Sequence, residues 1–459
     1  MKGIEGKFLR TILRVFALLS AISVAGVAFD SRALAGPALL GEEPIVIKPT
    51  AREPATIAIP TFDVVAAAGQ ERFNEIVYND LAMTGYFQRC SNQGFVEETH
   101  QSDAKRGNVD FAEWKRLGAM FLLKGSCQVS DDKLVATCYL YYVPTGKRIL
   151  GEQFFSTADK PRVLAHYISD RIFWYVTGND GVANTKILYV SLTDTARRNS
   201  EVWCMDADGA GAFQVTNENS LVATPCWGSN GTEVYYTSWK NYNPDLYGIY
   251  LKGGSAWTIS YSAGLNVSPA WSQARKKIAM TLSKDGNSEI YTVDRDGKNL
   301  KRVTFDRPID ASPSWSPSGD DIAFTSDQAG TGSPQVYMMD ADGGSKRRIS
   351  FVGSTYCDSA AWSPKGDKIA FVARQNGRFD IYVAEIDGSN PKRLTSGEGN
   401  NEDPSWSPNG LMLAFASDRS GSSQIYVVNS DGSNVRQITR RGQNTAPAWS
   451  PFLYGTPKR

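Results

Sequence analysis

The C-terminal two-thirds of the chain alternates short apolar runs with polar loops, and the alternation returns about every 44 residues. One run is "SPSWSPSGDDIAFTS" (312–326), and a second, "QVYMMDADGG" (335–344), follows it. Alternation with a period of two predicts β-strands, and Asp-Gly predicts a hairpin turn. Each repeat is marked by one tryptophan, at Trp227, Trp271, Trp315, Trp362, Trp406 and Trp449. A period of this length predicts a repeat architecture.

Each repeat contains four short strand-like runs, which is typical of one blade of a β-propeller. Trp449 begins a unit that stops ten residues later, whereas the strand-like runs 186–193, 201–211 and 213–216 lack a tryptophan strand before them. We therefore predict six blades over 183–459, with the C-terminal inner strand completing the first blade. The tryptophans are predicted to pack between neighbouring blades.

A different pattern precedes the propeller. Apolar residues recur at helical spacing in 70–82, 110–118 and 160–178, and strand-like runs occupy 56–60, 119–130, 133–143 and 148–156. Asp110 with Glu113 three residues later is a capping-box signature. The predicted fold class is therefore α+β: a small N-terminal α/β domain (55–178) followed by an all-β six-bladed propeller.

The N-terminus has the pattern of a secretory signal. Basic residues are followed by an apolar run (15–29) and by Ala33-Leu34-Ala35, so residues 1–35 are predicted to be removed by cleavage between Ala35 and Gly36. A membrane anchor is the alternative, but the apolar run is short for crossing a bilayer. The mature protein is then exported.

Residues 36–54 contain one isolated apolar trio, Ile45, Val46 and Ile47, between prolines. This trio is either a first strand of the domain or part of a tail without fixed structure. Alternatively, the segment detaches and pairs with the sheet edge of a partner.

The net charge of the chain limits the classes of partner that it favours. The whole chain has a net charge of +1, and the leader contributes +3, which leaves about −2 on the mature protein. This near-balance gives no reason to expect nucleic acid as a partner.

Export would permit disulfides among the six cysteines, and a bridge between Cys127 and Cys138 across a predicted turn is one option.

The sequence offers no familiar catalytic constellation. The two histidines, His100 and His166, both precede the propeller, and neither a nucleophile elbow nor a phosphate-binding loop occurs. The Asp-x-Asp-Gly runs lack the remaining ligands of a calcium loop and are interpreted as hairpin turns. We therefore predict a binding protein without catalytic residues, cofactor or metal.

The mouth of the propeller channel is the predicted binding surface. Residues at the start of the inner strands differ from blade to blade and are polar to acidic, as a protein ligand would require; ordinary solvated loops are the alternative. The candidates are Asn266, Ser268, Asp310, Ala311, Asp358, Glu402, Asp403, Asn444 and Thr445.

The leader, the α/β domain and the "WSPxGxxIAFxS…IYxxxxDG" repeat together resemble the TolB family of the Gram-negative Tol–Pal envelope system. "AFTSDQAG" (323–330) and "PAWSP" (447–451) strengthen the resemblance, which covers essentially the whole mature chain. It implies a monomeric periplasmic protein that binds the lipoprotein Pal at the propeller mouth. It also implies binding of the inner-membrane protein TolA through the N-terminal segment, about 36–48 in this chain, in support of outer-membrane integrity and constriction during cell division.

The resemblance places Pal contacts at four positions of this chain, Leu265, Asn266, Ser268 and Ala311. The family carries a histidine at the position of Leu265, so that contact must differ or be lost. Two other classes remain open: an exported propeller hydrolase, and a glycan- or peptide-binding scaffold unrelated to Tol.

Overall fold

The chain forms a mixed α/β domain and a ring of six four-stranded sheets in a computed structural model. The structure describes residues 53–60, 63–65, 73–90, 109–130, 133–194, 199–330 and 333–453. The predicted leader, its cleavage between Ala35 and Gly36, the trio Ile45–Ile47 and His100 all lie outside the described residues.

The N-terminal domain is a six-stranded sheet with helices packed on it. Its strands run in the order β3-β1-β4-β5-β6, and β2 also pairs with β4. β1 is parallel to both its neighbours, whereas β4, β5 and β6 form an antiparallel meander. The elements are β1 (Ala55–Ala58), β2 (Asp63–Val65), α1 (Phe73–Met83), β3 (Phe87–Arg89), α2 (Phe111–Arg116), β4 (Phe121–Ser130), β5 (Lys133–Tyr142), β6 (Lys147–Thr157) and α3 (Pro161–Thr177).

All three predicted helices are confirmed. The apolar stripes of α1 and α3 are buried in one core with the sheet. Asp110 caps α2, because its carboxylate accepts the backbone N–H groups of Ala112 and Glu113 at 3.1 and 3.2 Å. Gly178 ends α3 in the left-handed conformation that favours glycine. Among the described residues, none of the helices has the length and apolarity needed to cross a membrane.

The propeller begins at Lys186, and every blade has four strands ordered from the inner to the outer edge of the ring. Blade 1 is β30 (Asn444–Trp449), β7 (Lys186–Asp194), β8 (Asn199–Asp206) and β9 (Phe213–Gln214). Blade 2 is β10 (Val222–Trp227), β11 (Glu233–Ser238), β12 (Asp245–Tyr250) and β13 (Trp257–Ser260). Blade 3 is β14 (Asn266–Ser272), β15 (Lys277–Leu282), β16 (Glu289–Asp294) and β17 (Lys301–Arg302).

The remaining three blades repeat this plan. Blade 4 is β18 (Asp310–Trp315), β19 (Asp321–Ser326), β20 (Gln335–Asp340) and β21 (Arg347–Arg348). Blade 5 is β22 (Cys357–Trp362), β23 (Lys368–Gln375), β24 (Arg378–Glu385) and β25 (Lys392–Arg393). Blade 6 is β26 (Asn401–Trp406), β27 (Met412–Ser417), β28 (Gln424–Asn429) and β29 (Arg436–Gln437). A single turn of 3₁₀-helix, Ser229–Gly231, lies in blade 2.

The ring closes as predicted. β30 pairs antiparallel with β7, with Trp449 opposite Ile187 and Asn444 opposite Ser191. The last strand of the propeller therefore completes its first blade, and this pairing removes a sheet edge that would otherwise be open.

The tryptophans join neighbouring blades, also as predicted. The indole N–H of Trp227 donates to Ala448 O at 2.8 Å, and those of Trp315 and Trp406 donate to the inner strand of the preceding blade in the same way. Five of the six are buried, whereas Trp271 is partly exposed and donates to Gln273 within its own blade.

The Asp-Gly runs form hairpin turns, as predicted. In blade 1, Asp206 N–H donates to Ala210 O and Gly209 N–H donates to Asp206 O, so three residues lie between the paired ends. Gly209 has φ 89°, and a Cβ added to it would lie 2.7 Å from the side chain of Ile438 in the neighbouring blade 6. Glycine therefore serves both the turn and the close packing of the blades.

The six cysteines are all free thiols in the structure. Cys127 lies opposite Ala136 and Cys138 lies opposite Gly125, so the two residues considered for a bridge are offset by two positions. Burial raises the pKa of Cys127 to about 11, which disfavours the reactive thiolate.

The α/β domain sits on one face of the ring. It contacts loops that join the first to the second strand of a blade and the third to the fourth; we call this side the docking face. Asn409 and Asn434 donate to the carbonyls of Asp180 and Met83 at 2.8 and 2.7 Å. Since antiparallel strands alternate in direction, the inner strands begin at the opposite side, which we call the mouth face.

Candidate functional site

The third residue of every inner strand has a positive φ. The six residues are Thr224, Ser268, Ser312, Ser359, Asp403 and Ala446, with φ between 47° and 55°. At the same point the pairing of each inner strand with the next strand shifts register. Such a bulge re-aims a side chain, and all six residues line the central channel.

The channel has a volume of about 370 Å³ and is lined by residues from all six blades. Proline follows the positive-φ residue in five blades, and Ala360 takes this place in blade 5. Proline lacks a backbone N–H, so it fits at a bulge where a ladder hydrogen bond is missing. The repeat therefore builds a channel whose lining varies at the positive-φ position and again two residues later, at Cys226, Ala270, Ser314, Ser405 and Ala448.

Three carboxylates lie together where blades 5 and 6 meet the channel: Asp358, Glu402 and Asp403, which we call the acidic arc. Asp358 accepts a hydrogen bond from Tyr356 Oη at 2.6 Å, and Asp403 accepts one from Ala446 N–H at 3.1 Å. Within the described part of the chain, none of the three forms an ion pair with a lysine or arginine.

Burial and like charge raise the pKa values of the acidic arc. For Glu402, burial and then repulsion from Asp403, Asp358 and Asp418 raise the pKa to about 7. Burial also raises the pKa values of Asp358 and Asp403. Burial and mutual repulsion therefore disfavour the charged forms of these carboxyls, and a cationic group from outside would stabilise them.

Three of the predicted mouth residues are buried. The side chains of Asn266, Asp310 and Asn444 are at most 2% exposed, and none of the three is among the described residues that line the channel. Each is the first residue of an inner strand, and its side chain forms hydrogen bonds with nearby residues. Asn266, for example, accepts from Ser260 Oγ at 2.6 Å and donates to Ser262 O at 2.6 Å.

The other predicted residues lie on or near the mouth. Leu265 precedes blade 3 and is 40% exposed; Ser268 lines the channel; Ala311 is half-buried as the second residue of β18. Glu402 and Thr445 are exposed at the equivalent second positions of blades 6 and 1. Whether these residues contact a protein stays a prediction.

An exposed apolar set on the mouth face was missed by the sequence analysis. We call it the apolar arc. Its members lie in loops of the mouth face that adjoin or lead into blades 2, 3 and 4: Leu221, Tyr242, Tyr261, Leu265, Phe305 and Ile309. Tyr242 is fully exposed and Ile309 is 52% exposed. Exposed apolar side chains grouped on one face make that face a candidate binding surface.

A signal for part of this arc was present in the repeat. Tyr261 and Phe305 of the arc, and the exposed Phe351 outside it, occupy one position of the repeat, directly after a Ser or Thr at the end of the outer-strand run, in three consecutive blades. The equivalent residues in the other three repeats are Asn217, Ser396 and Arg440. The aromatic residues are therefore a deviation from the repeat and confined to one part of the ring.

Comparison with known proteins identifies the family. The sequence-family model of the TolB beta propeller domain matches residues 173–453, and the sequence-family model of the TolB amino-terminal domain matches residues 43–149. The chain belongs to the TolB family.

Relatives agree with this assignment. The "Tol-Pal system protein TolB" of Syntrophotalea carbinolica is 35% identical over 185 residues, and that of Roseobacter denitrificans is 30% identical over 200 residues. These matches cover 39% and 42% of this chain, and only 42% and 44% of the relatives' own length. The crystal structure of TolB from Acinetobacter baumannii matches 90% of the chain and 98% of its own, with 27% identity and a TM-score of 0.77.

This TolB-family chain also has a buried ionic cluster between its two domains. His166 of α3 lies 2.8 Å from Asp80 of α1 through Nδ1, and its Nε2 lies 3.8 Å from Asp206 of blade 1. Arg162 pairs with Asp208 at 2.5 Å, and Lys186 pairs with Asp206 at 2.6 Å. We call these six residues the interdomain cluster.

Asp80, His166 and Asp208 offer ligand atoms within 4.8 Å of one another, a spacing that a metal ion could use. However, the three carboxylates of the interdomain cluster are balanced by Arg162, Lys186 and a protonated His166. Burial opposes the charge on His166, but attraction to Asp80 and hydrogen bonds to Asp206 and Asp80 raise its pKa to about 10. The cluster therefore suits domain docking better than metal binding.

Proposed function

We propose that the protein is the propeller component of a Tol–Pal envelope system in the periplasm. In this role it binds the lipoprotein Pal at the mouth face and TolA through the N-terminal segment, about 36–48, and it acts without catalysis. The observation that carries the proposal is the likeness to a solved TolB over 90% of the chain, which includes both domains in one arrangement. Through these contacts the protein would support outer-membrane integrity and constriction.

The mouth face has the composition of a protein-binding surface. Exposed apolar side chains adjoin a polar channel rim, and the docking face is already occupied by the α/β domain. Interfaces combine an apolar centre with a polar rim in this way. The mouth face is therefore the better candidate for Pal.

Nothing in the described channel favours the alternative of an exported hydrolase. Among the described residues that line it, Asp403 is the single carboxylate, and the lining contains neither histidine nor lysine nor arginine. The histidine that does approach carboxylates, His166, is buried between the domains. No observation favours a glycan-binding scaffold either.

Calorimetric titration of the mature protein with the soluble domain of Pal from the same organism tests the proposal. Saturable one-to-one binding is the expected result. A folded protein that binds no Pal, with or without residues 36–48, would refute it.

Substitution of Ala311 by tryptophan tests the mouth directly. Ala311 is half-buried at the start of the inner strand of blade 4, so the indole would project toward a bound partner. We expect roughly tenfold weaker Pal binding and an unchanged melting temperature. Asp342→Trp, an exposed position in the docking-face hairpin of the same blade, serves as the control and should bind normally.

A further inference from the structure

The six blades share one plan, so a perfectly symmetric ring would allow a partner to bind in six equivalent orientations about the channel axis. The mouth face departs from this symmetry in two places. Leu221, Leu265 and Ile309 directly precede the inner strands of three consecutive blades, 2, 3 and 4, and are 40 to 52% exposed. The equivalent residues before blades 5, 6 and 1 are Tyr356, Asn400 and Gln443.

The second departure lies in blades 5 and 6. The acidic arc belongs to the inner strands of these two blades, whereas the second residues of the inner strands of blades 2, 3 and 4 are Ala223, Val267 and Ala311. At the inner strands, apolar and acidic residues therefore belong to different blades of the ring.

We infer that the partner docks in a single rotational setting, with an apolar surface on the apolar arc and a lysine or arginine side chain against the acidic arc. This inference rests on the proposed function and names the chemistry of the same site. The occupant is the globular Pal domain, whose contact surface must then contain an apolar patch beside a basic residue.

Charge complementarity decides this orientation. Asp358 and Asp403 are half-buried, Glu402 is exposed beside them, and none of the three has a cationic partner among the described residues. Without a partner, repulsion among the three carboxylates disfavours their charged forms. A basic side chain would relieve the repulsion, whereas an apolar surface placed there would remove the remaining water from the carboxylates. Rotation of the partner by one blade would move part of its apolar surface off the apolar arc and shift its basic side chain relative to the acidic arc.

Blade 3 offers a matched pair of leucines for the test. Leu265 lies on the mouth face and is 40% exposed; Leu300 lies in the docking-face hairpin and is 41% exposed. We expect Leu265→Asn to raise the Kd for the soluble Pal domain about tenfold, because it removes an apolar contact at the interface. Leu300→Asn should bind like the unmodified protein.

Glu402→Gln tests the acidic side, with Asp387→Asn, an exposed carboxylate of the blade 5 hairpin, as its control. We expect Glu402→Gln to weaken binding by a few-fold to tenfold and to flatten the dependence of the Kd on salt between about 50 and 500 mM, since it removes a charge pair. Asp387→Asn should change neither quantity.

The outcomes separate the inference from the proposed function. If the unmodified protein binds Pal and both Leu265→Asn and Glu402→Gln bind equally well, the inferred orientation is wrong while the proposed function stands. The orientation is also overturned if either substitution has no effect, because each arc is then dispensable. If the unmodified protein does not bind Pal, the proposed function fails and the inference fails with it.

Discussion

At the scale of single residues, the interdomain cluster depends on one histidine. His166 is buried between Asp80 of α1 and Asp206 and Asp208 of blade 1, with Arg162 and Asp170 on its own helix and Lys186 beside them. Because its folded pKa of about 10 exceeds the unfolded value of about 6.5, its protonated form stabilises the folded protein. This contribution is complete below pH 6.5 and is lost as the pH rises toward 10.

We predict that His166→Gln lowers the free energy of unfolding by roughly 3–5 kcal/mol at pH 6, because it leaves Asp80 buried without a cation. The variant should also lose less stability than the unmodified protein between pH 6.5 and 10. Urea denaturation at pH 6, 8 and 10 measures both effects. Asp80→Asn combined with His166→Gln should recover part of the loss, and an unchanged pH profile in His166→Gln would show that the histidine is neutral.

Residue-level prediction from the sequence was accurate for packing and weaker for surface chemistry. The apolar stripes of α1 and α3 and the role of the tryptophans followed from spacing alone. Asn266 is the first residue of its inner strand and is buried, whereas Glu402 is the second residue of its strand and is exposed, as the alternation of strand side chains requires. The repeat pattern did not show at which residue each inner strand begins, and a shift of one residue exchanges the two faces.

At the scale of elements, the closing strand β30 is the most consequential. Trp449 fills the space between blades 6 and 1 and donates its indole N–H to Thr185 Oγ1 at 2.8 Å. The equivalent Trp271 of β14 is partly exposed and bonds to a surface glutamine. Two residues in the same repeat position therefore differ in the packing that they contribute.

We predict that Trp449→Ala destabilises the protein by roughly 3–5 kcal/mol, since it opens a cavity in a buried cluster. Trp271→Ala, the matched control, should have a clearly smaller effect. Thermal unfolding followed by circular dichroism compares the two. Equal losses would mean that closure of the ring depends on the backbone pairing of β30 and not on its tryptophan.

At the scale of the whole molecule, the arrangement of the two domains depends on a short connection. Asp170 of α3 accepts the N–H groups of Ala183 and Asn184 at 2.7 and 3.1 Å, and so fastens the connection to the helix. An added Cβ at Gly181 would lie 2.2 Å from Asp170 Oδ1 and 2.5 Å from its Cα. The close approach leaves room only for glycine.

We predict that Gly181→Ala separates the domains partially, because α3 must move away from the connection. Limited trypsin digestion should then cut the chain near Lys186, which is protected in the unmodified protein by its ion pair with Asp206. Gly344→Ala is the control, because its Cβ would meet only the end of the Asp340 side chain at 3.1 Å. Identical digestion of all three proteins would contradict the prediction.

The sequence predicted the two domains and the closed ring, but not how the domains meet. The interdomain cluster joins Asp80, His166 and Asp206 from three separate elements, and no local pattern marks them as partners. The apolar arc is similarly assembled from several loops. Only its aromatic position within the repeat could have been found by comparing the six units.

The closure of the ring has a consequence for how the protein is made. Ile187 and Trp449 are paired in blade 1 although 262 residues separate them along the chain. Blades 2 to 6 can form in chain order as the exported chain emerges from the membrane, but β7 keeps an unpaired edge until the final strand has emerged as well. Contacts of such long range form late and slowly. A chain that ends before residue 444 would keep this edge permanently and would be open to aggregation and proteolysis, so ring closure distinguishes finished molecules from truncated ones.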